Sequence, residues 1–326
     1  MAIPGPGQAL PFANQIQREF GGSNPIGLSE YYRGSPTGYV PNSPSTATIP
    51  TSGTISASNF YGTTRRVSVP ITISSPTYNY CLYANRGPTY ISGISDVVLT
   101  VNPGVTVSSP SPASYAMLVP SSFSAGDTVT IVNNGSITGS GGNGGIGGNT
   151  STCCYKGKPG TSGGNALYVN RPTTVYNNGS LYGGGGGGGG GGMWVSPAPS
   201  YRAYGGGGGG GGAGVASGAG GAGGQGCFPT APASYRGSDG SVGTSTTGGT
   251  GGNLAPGAPS PSSYKGGTGG AIGSSGGAGA TRPGPPNLVG GYCTYPGGCG
   301  GAAGYYIVGN PYVTWGATGT RAGSVG

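Results

Sequence analysis

The sequence predicts an all-β chain whose second half is a bundle of packed polyglycine II helices linked by exposed loops, with little or no α-helix. Three observations carry this expectation. Stretches between residues 51 and 150 alternate apolar with small polar residues, glycine comes in unbroken runs such as 183–192, and the unit joining a strand to a glycine run occurs twice. The 326 residues include 80 Gly and 29 Pro but only 6% charged residues, so an ordinary globular core over the full length is not expected. Solid glycine runs without a Gly-X-Y period exclude collagen. The 22 Tyr, 5 Phe and 2 Trp set the chain apart from the usual disordered composition, which is poor in aromatics.

Residues 1–50 are rich in Pro, Ser and Gly around one island, IQREFGGSNPIGLSEYYRG, in which Ile16, Phe20, Ile26, Leu28, Tyr31 and Tyr32 are available for burial. An island this small is not expected to form a core of its own. It reads as a docking peptide or as a strap across the rest of the protein.

Residues 51–150 form the β-rich part. TRRVSVPITIS, SDVVLTVNPGVTVSS and GDTVTIVNNGSITG are rich in Val, Ile and Thr and are broken by Asn-Pro-Gly and Asn-Asn-Gly turns.

Residues 151–326 continue a cassette that starts just before them. VTIVNNGSITGSGGNGGIGG (129–148) recurs as TTVYNNGSLYGGGGGGGGGG (173–192), each a β-branched strand, Asn-Asn-Gly-Ser, an apolar residue and then glycines. Self-similarity of this kind argues for stacked rungs. The closing AAGYYIVGNPYVTWGATGTRAGSVG again begins with an apolar strand and is placed to close the stack.

Glycine-dominated runs occupy 139–148, 183–192, 205–226, 237–252, 266–280 and 297–304. A polyglycine helix rises about 3.1 Å per residue with no internal hydrogen bonds, so ten residues make a rod of roughly 31 Å. Ordering one rod costs about 1–2 kcal/mol per residue against about 0.5–1.5 for each net hydrogen bond, and a lone rod stays disordered. Several rods side by side reverse that balance, because bare backbones meet on every side. Residues that interrupt the runs are mostly Ala, Ser or Thr, and the larger Val215 and Ile272 mark faces turned to a core or to solvent.

Between the runs lie inserts of one pattern: CCYKGKPG, SPAPSYRAY, CFPTAPASYRGSDG, APGAPSPSSYKGG and TRPGPPNLVGGYCTYPGGC. Four carry Tyr followed by a base, namely Tyr155-Lys156, Tyr201-Arg202, Tyr235-Arg236 and Tyr264-Lys265; the fifth carries Arg282, Tyr292 and Tyr295, and Trp194 stands just after the unbroken glycines of 183–192. Rods standing side by side would gather these residues at a tip. Flat aromatic faces suit sugar rings and Arg or Lys suits phosphate or carboxylate, so the set reads as a recognition surface on a rigid scaffold. The formal charge agrees: of the net +8, residues 1–150 contribute +1 and residues 151–326 contribute +7.

Other function classes find little support. The chain has no His and its five carboxylates are scattered, so no acid–base pair or triad is expected and the protein is read as a non-enzyme. Gly-x-Gly-x-x-Gly matches are guaranteed by composition, and in YKGKPGTSGG Pro159 stands where a phosphate loop needs Ser or Thr. The six cysteines offer no CxxC pair, so neither a metal nor another cofactor is expected. Bases placed singly between glycine runs do not form a track for nucleic acid. The amino terminus shows no secretory signal pattern, and no stretch approaches a membrane span.

IQREFGGSNPIGLSEYY (16–32) resembles an amino-terminal signature of tailed-bacteriophage virion and tail-fibre proteins, while NNGSLYGGGGGGGGGG and GNPYVTWGATGTRAGSV (309–325) resemble glycine-rich phage tail proteins. Alternation of glycine motifs with loops is similar to the T-even-type tail-fibre tip adhesins, whose polyglycine helices form a sandwich and whose loops contact host outer-membrane proteins or lipopolysaccharide. The resemblance covers about 128–326 and, locally, 16–32. It implies a receptor-binding protein of the virion tail, attached to other tail proteins through Ile16, Phe20, Ile26, Leu28, Tyr31 and Tyr32. Tyr155, Lys156, Trp194, Tyr201, Arg202, Tyr235, Arg236, Tyr264, Lys265, Arg282, Tyr292 and Tyr295 would then face a bacterial surface protein or polysaccharide. Two states stay open, a monomer on a trimeric stalk or a homo-oligomer of this chain, a trimer first. The inserts here are rich in Pro and base, so no particular receptor carries over; a purely structural virion component is the alternative.

Overall fold

A computed structural model describes residues 3–6, 8, 15–24, 26–148, 156–195, 203–226, 235–258, 264–281 and 295–326. These residues are strand-rich with little helix, the one α-helix among them being the four residues Gln17–Phe20. The chain divides into one unit of residues 1–71, 83–99 and 121–130 and a second of 72–82, 100–120 and 131–326, a division unlike the expected boundaries at 50 and 150.

In the first unit Ile16, Phe20 and Tyr31 are fully buried with Ile3, Val40, Ile49 and Phe60, while Ile26 and Leu28 pack at the margin. The island thus does have a core, because Val40, Ile49 and Phe60, from outside the island, complete it. Phe60 meets Phe20 edge-on at 5.9 Å and Tyr31 at 6.1 Å. The expectation that Ile16, Phe20 and Tyr31 offer docking side chains is corrected: their apolar surface is spent internally. Tyr32 is half-buried, with its hydroxyl donating to the Gly53 carbonyl.

The strands recur in threes. The sequence gives β1 (Val67–Ile73), β2 (Thr77–Tyr78) and β3 (Tyr80–Cys81), then β4 (Ser95–Val101), β5 (Thr106–Ser108) and β6 (Tyr115–Val119). Next come β7 (Thr128–Asn133), β8 (Ser136–Thr138) and β9 (Asn165–Val169), followed by β10 (Thr173–Asn177) and β11 (Ser180–Tyr182). A short hairpin of β12 (Trp194–Val195) and β13 (Ala203–Tyr204) precedes β14 (Tyr305–Val308), and β15 (Val313–Ala317), β16 (Thr320–Ala322) and β17 (Ser324–Val325) close the series. Three five-stranded sheets collect them in order: β1-β4-β7-β10-β15, β2-β5-β8-β11-β16 and β3-β6-β9-β14-β17. The second and third sheets pair parallel throughout, as does β10 with β15. Each set of three strands is therefore one turn of a coil, and five turns stack as rungs.

Alternation in sequence becomes alternation in burial. β4 reads buried at Ser95, Val97, Leu99 and Val101 and half-buried between them. Equivalent apolar residues stack in register, with Val107 on Ile137 on Leu181 along one side and Met117 on Leu167 on Ile307 along another. The repeated NNGS motifs stack too: Ser136 pairs with Ser180, and Asn178 Nδ2 donates to Asn134 Oδ1 at 2.9 Å. The closing segment supplies the fifth rung, as expected.

The glycine runs are insertions at one corner of this coil. In the first and last rungs the corner between the second and third strands is a single residue, Asn79 with φ 49° and Gly323 with φ 121°. In the third and fourth rungs the same corner opens into residues 139–164 and 183–304. Roots of the larger insertion sit on the last rung, Gly183 donating to the Ala322 carbonyl at 2.9 Å and Ser324 to that of Gly304 at 3.3 Å.

Inside the insertions the backbone bonds laterally with a period of three. Gly184, Gly187 and Gly190 donate to Gly164, Thr161 and Lys158; Gly185, Gly188 and Gly191 to Ala213, Gly210 and Gly207; Gly186, Gly189 and Gly192 to Ser274, Gly277 and Ala280. Run 183–192 also accepts from 142–148, 267–273 and 298–304, so it has six neighbours. Run 205–213 is surrounded the same way, donating to 142–148, 235–241 and 264–270 and accepting from 185–191, 218–224 and 249–255.

This arrangement explains the unbroken glycines. A Cβ added anywhere in 183–192 would collide with a neighbouring backbone, the Gly267 carbonyl in the case of Gly188. A run at the perimeter has one frame of three open to water, and side chains appear there: Ala219, Ala222 and Gln225 in one run, Lys265, Thr268 and Ala271 in another, all exposed. Longer glycine-rich stretches fold back on themselves with bends at 214–216, 245–247 and 272–274. Val215 is thus an exposed reversal residue and Ile272 a half-buried one, and GKPG (157–160), expected as part of the insert CCYKGKPG, belongs to a perimeter run from 157 to 164.

Polar side chains at the perimeter complete the bonding. Thr161 Oγ1 accepts from the Asn143 amide at 2.7 Å, and Asn143 Oδ1 from Ala219 at 2.9 Å. Ser238 Oγ accepts from Asn253 at 2.7 Å and Thr281 Oγ1 from Gly297 at 2.8 Å. Each takes an amide that has no further run beside it.

Candidate functional site

All the runs end together. Gly148 donates to Gly191 at 2.8 Å, Gly191 to Gly207 at 2.8 Å, Gly207 to Tyr264 at 3.2 Å, Gly205 to Tyr235 at 3.1 Å and Gly157 to Pro296 at 3.0 Å. These bonds put residues 148, 157, 191, 207, 235, 264 and 296 at one end of the bundle. The three reversals lie at the other end, where Gly214 donates to Thr244 at 2.9 Å and Ile272 to Thr246 at 3.1 Å. Every insert therefore leaves the runs and re-enters them at the same end. Tyr155, Tyr201, Arg202, Arg282 and Tyr292 lie outside the described residues, within these inserts.

The described part of this end has an aromatic floor. Tyr204 and Tyr264 are buried with Leu254, Ala255 and Ala258, and Trp194 and Tyr235 pack against them part-buried. The β12–β13 pairing sets Trp194 opposite Tyr204, ring centroids 5.1 Å apart, and Tyr235 meets Tyr204 edge-on, also at 5.1 Å. A cluster of this kind joins the ends of otherwise bare runs by apolar burial. It corrects the reading of Tyr264 as an outward ring: at 2% exposure it presents no face to a ligand. Tyr204 and Leu254 were not singled out from sequence, although Tyr204 opens one glycine run as Trp194 follows another.

Charged residues stand at the same end of the runs. Lys156, Lys158 and Lys265 are exposed. Arg236 is exposed but engaged, its Nη2 2.6 Å from Asp239 Oδ1, which also accepts from the Gly223 amide at 2.8 Å. Tyr295 is half-buried. Of the predicted residues, the structure brings together Trp194, Tyr235 and Tyr264, and leaves Lys156 and Lys265 exposed at the same end.

The carboxylates serve local structure. Asp96 forms a forked pair with Arg66, with Nη2 to Oδ1 at 2.6 Å, and this guanidinium holds its carboxyl below the usual range. Asp127 accepts from the Tyr90 hydroxyl at 2.6 Å and the amides of Gly93, Ser95 and Ser124 at 2.8, 3.0 and 2.9 Å. Among the described residues no group of His, Cys, Asp and Glu is placed to hold a metal ion.

The family described as phage tail fibre adhesin Gp38 matches residues 68–326. Its match begins at β1 and so takes in the first rungs as well as the glycine runs. No curated protein matches the chain. Among solved structures, the gp37-gp38 adhesin tip complex of the bacteriophage S16 long tail fiber aligns over 83% of this chain and 86% of that chain, at 23% identity and a TM-score of 0.48.

Proposed function

Because the chain belongs to the phage tail fibre adhesin family and so to the virion tail, we propose that it binds the bacterial surface through the inserts between its glycine runs, and that the receptor is anionic or carries glycan. One observation carries this reading: every insert emerges at the same end of the bundle, beside an aromatic floor and three exposed lysines. Fixed ends hold loops in register, which spares the ordering that a flexible binder undergoes on contact.

The runs themselves we read as polyglycine II helices. Their lateral bonds repeat every third residue and their neighbours approach to backbone contact, as threefold helices without side chains require. Attachment to other tail proteins is assigned to the outer surface of the first unit, since Ile16, Phe20 and Tyr31 are buried within it.

The test is a phage carrying Tyr201→Ala and Arg202→Ala. Normal incorporation into particles with adsorption reduced at least about tenfold, or roughly 1.4 kcal/mol of binding, supports the adhesin. Failure to incorporate points instead to a structural contact with neighbouring virion subunits. Unchanged adsorption removes this insert from the receptor surface.

A further inference from the structure

The last rung differs from those before it at a position on the buried face. Along the second sheet the register runs Val107, Ile137, Leu181, Arg321. The first three are apolar and at most 1% exposed, whereas Arg321 is a charged residue open to solvent. In the first sheet buried Val175 is followed by half-buried Trp315. The Arg321 guanidinium lies 4.9 Å from the Trp315 ring centroid and 5.4 Å from that of Tyr306. Side chains from all three sheets, on β14, β15 and β16, therefore meet at this guanidinium. Asn310 Oδ1 accepts from the Trp315 indole N–H at 3.3 Å and fixes the ring.

We infer that Arg321, stacked on Trp315, is a plug that stops a second copy of this chain from adding its own rung to this end. Among the described residues β15, β16 and β17 are the outermost strands of their sheets, so no further strand pairs with their outer edges, and the reversal at Gly273 packs against the Ala322–Gly323 corner between two of them. An apolar column beneath them would make an incoming rung favourable, because each rung of the coil already binds the next by that combination. Arginine reverses the outcome. A stacked copy would shut its guanidinium inside the coil, and no carboxylate lies within ion-pair distance of it among the described residues. Cation–π contact with Trp315 and Tyr306 holds the charge over the opening while one side stays in water.

Sedimentation of the full-length protein over a range of concentrations tests the plug. Arg321→Leu extends the apolar column, and its weight-average mass is expected to rise with concentration to at least about twice that of wild type, as end-to-end pairing requires. Arg321→Lys and Arg321→Glu are expected to keep the wild-type mass, since either charge resists enclosure. A folded Arg321→Leu protein with wild-type mass at every concentration overturns the inference. Arg321→Thr, small and uncharged, is the second variant and is also expected to associate. Loss of the folded circular-dichroism spectrum in both would make Arg321 a structural strut and would equally overturn it.

Discussion

Asn133 donates from Nδ2 to Oδ1 of Asn177 at 2.7 Å, and both side chains are 1% exposed. They occupy the same place in successive copies of NNGS, so the second copy reads the first. Asn133 Nδ2 also reaches the Ser180 carbonyl at 2.9 Å, and Asn177 Nδ2 reaches those of Thr318 and Thr320 at 2.9 and 3.3 Å. The pair links three rungs at a turn, where its two amide groups donate to part-buried carbonyls. Asn177→Ala is expected to cost roughly 2–4 kcal/mol, the sum of lost bonds and stranded acceptors. Chemical denaturation should show a lower midpoint with an unchanged slope; a midpoint equal to wild type would mean that the ladder contributes nothing.

Glycine is required at different strengths in different runs. An alanine Cβ at Gly188 would strike the Gly267 carbonyl, whereas at Gly277 it would come no nearer than 3.3 Å, to Thr268 Oγ1. Gly188→Ala should therefore open the bundle, and Gly277→Ala should change stability by no more than about 0.5 kcal/mol. Amide exchange resolves the two: fast exchange across 183–192 and 205–213 in the first variant, wild-type protection in the second. Equal behaviour would dissolve the distinction between enclosed and perimeter runs.

Acid should weaken the first unit through Asp96. Its carboxyl is held below the usual range chiefly by the Arg66 hydrogen bonds, with Thr128 adding a further bond. A depressed folded-state value means that the stabilisation is full above the ordinary carboxylate range and is lost as pH falls through the depressed value. Because both side chains are more than a third exposed, solvent screening limits the effect to less than about 1 kcal/mol. Asp96→Asn should flatten this part of the acid limb in thermal melts below about pH 4. An unaltered acid limb would assign the sensitivity elsewhere.

Much of this was legible because glycine patterns report position in a packed array. Ten glycines at 183–192 mean a run enclosed on every side, and GAGGAGG at 218–224 means one open frame, a code that needs only the size of Cβ. Strand alternation and the repeated NNGS gave the rungs for the same reason, since side-chain direction there follows the backbone. The reversals within 205–226, 237–252 and 266–280 were harder. Val215 and Thr246 turn the chain without Pro or an Asn-Gly pair, and the turn is paid in neighbouring-run bonds that sequence does not display. The first-unit core was missed because its partners Val40, Ile49 and Phe60 lie beyond the island that drew attention.

Tyr264 and Lys265 are adjacent, yet one is 2% exposed and the other lies open to solvent. With a period of three, neighbouring residues in a run point to different surroundings, so reading Tyr and base as one outward unit fails here. Their roles should separate experimentally. Tyr264→Ala removes a large buried ring from the floor under the inserts and should cost roughly 3–5 kcal/mol, like other aromatic truncations in a core. Adsorption would then fall together with thermal stability. Lys265→Glu touches no core, and melting should stay within about 0.5 kcal/mol of wild type. If the receptor is anionic, its adsorption rate should fall, and the deficit should shrink as salt screens the surface charge. A Lys265→Glu phage that adsorbs like wild type at low salt would remove this lysine from the receptor surface while leaving the buried tyrosine's structural role intact.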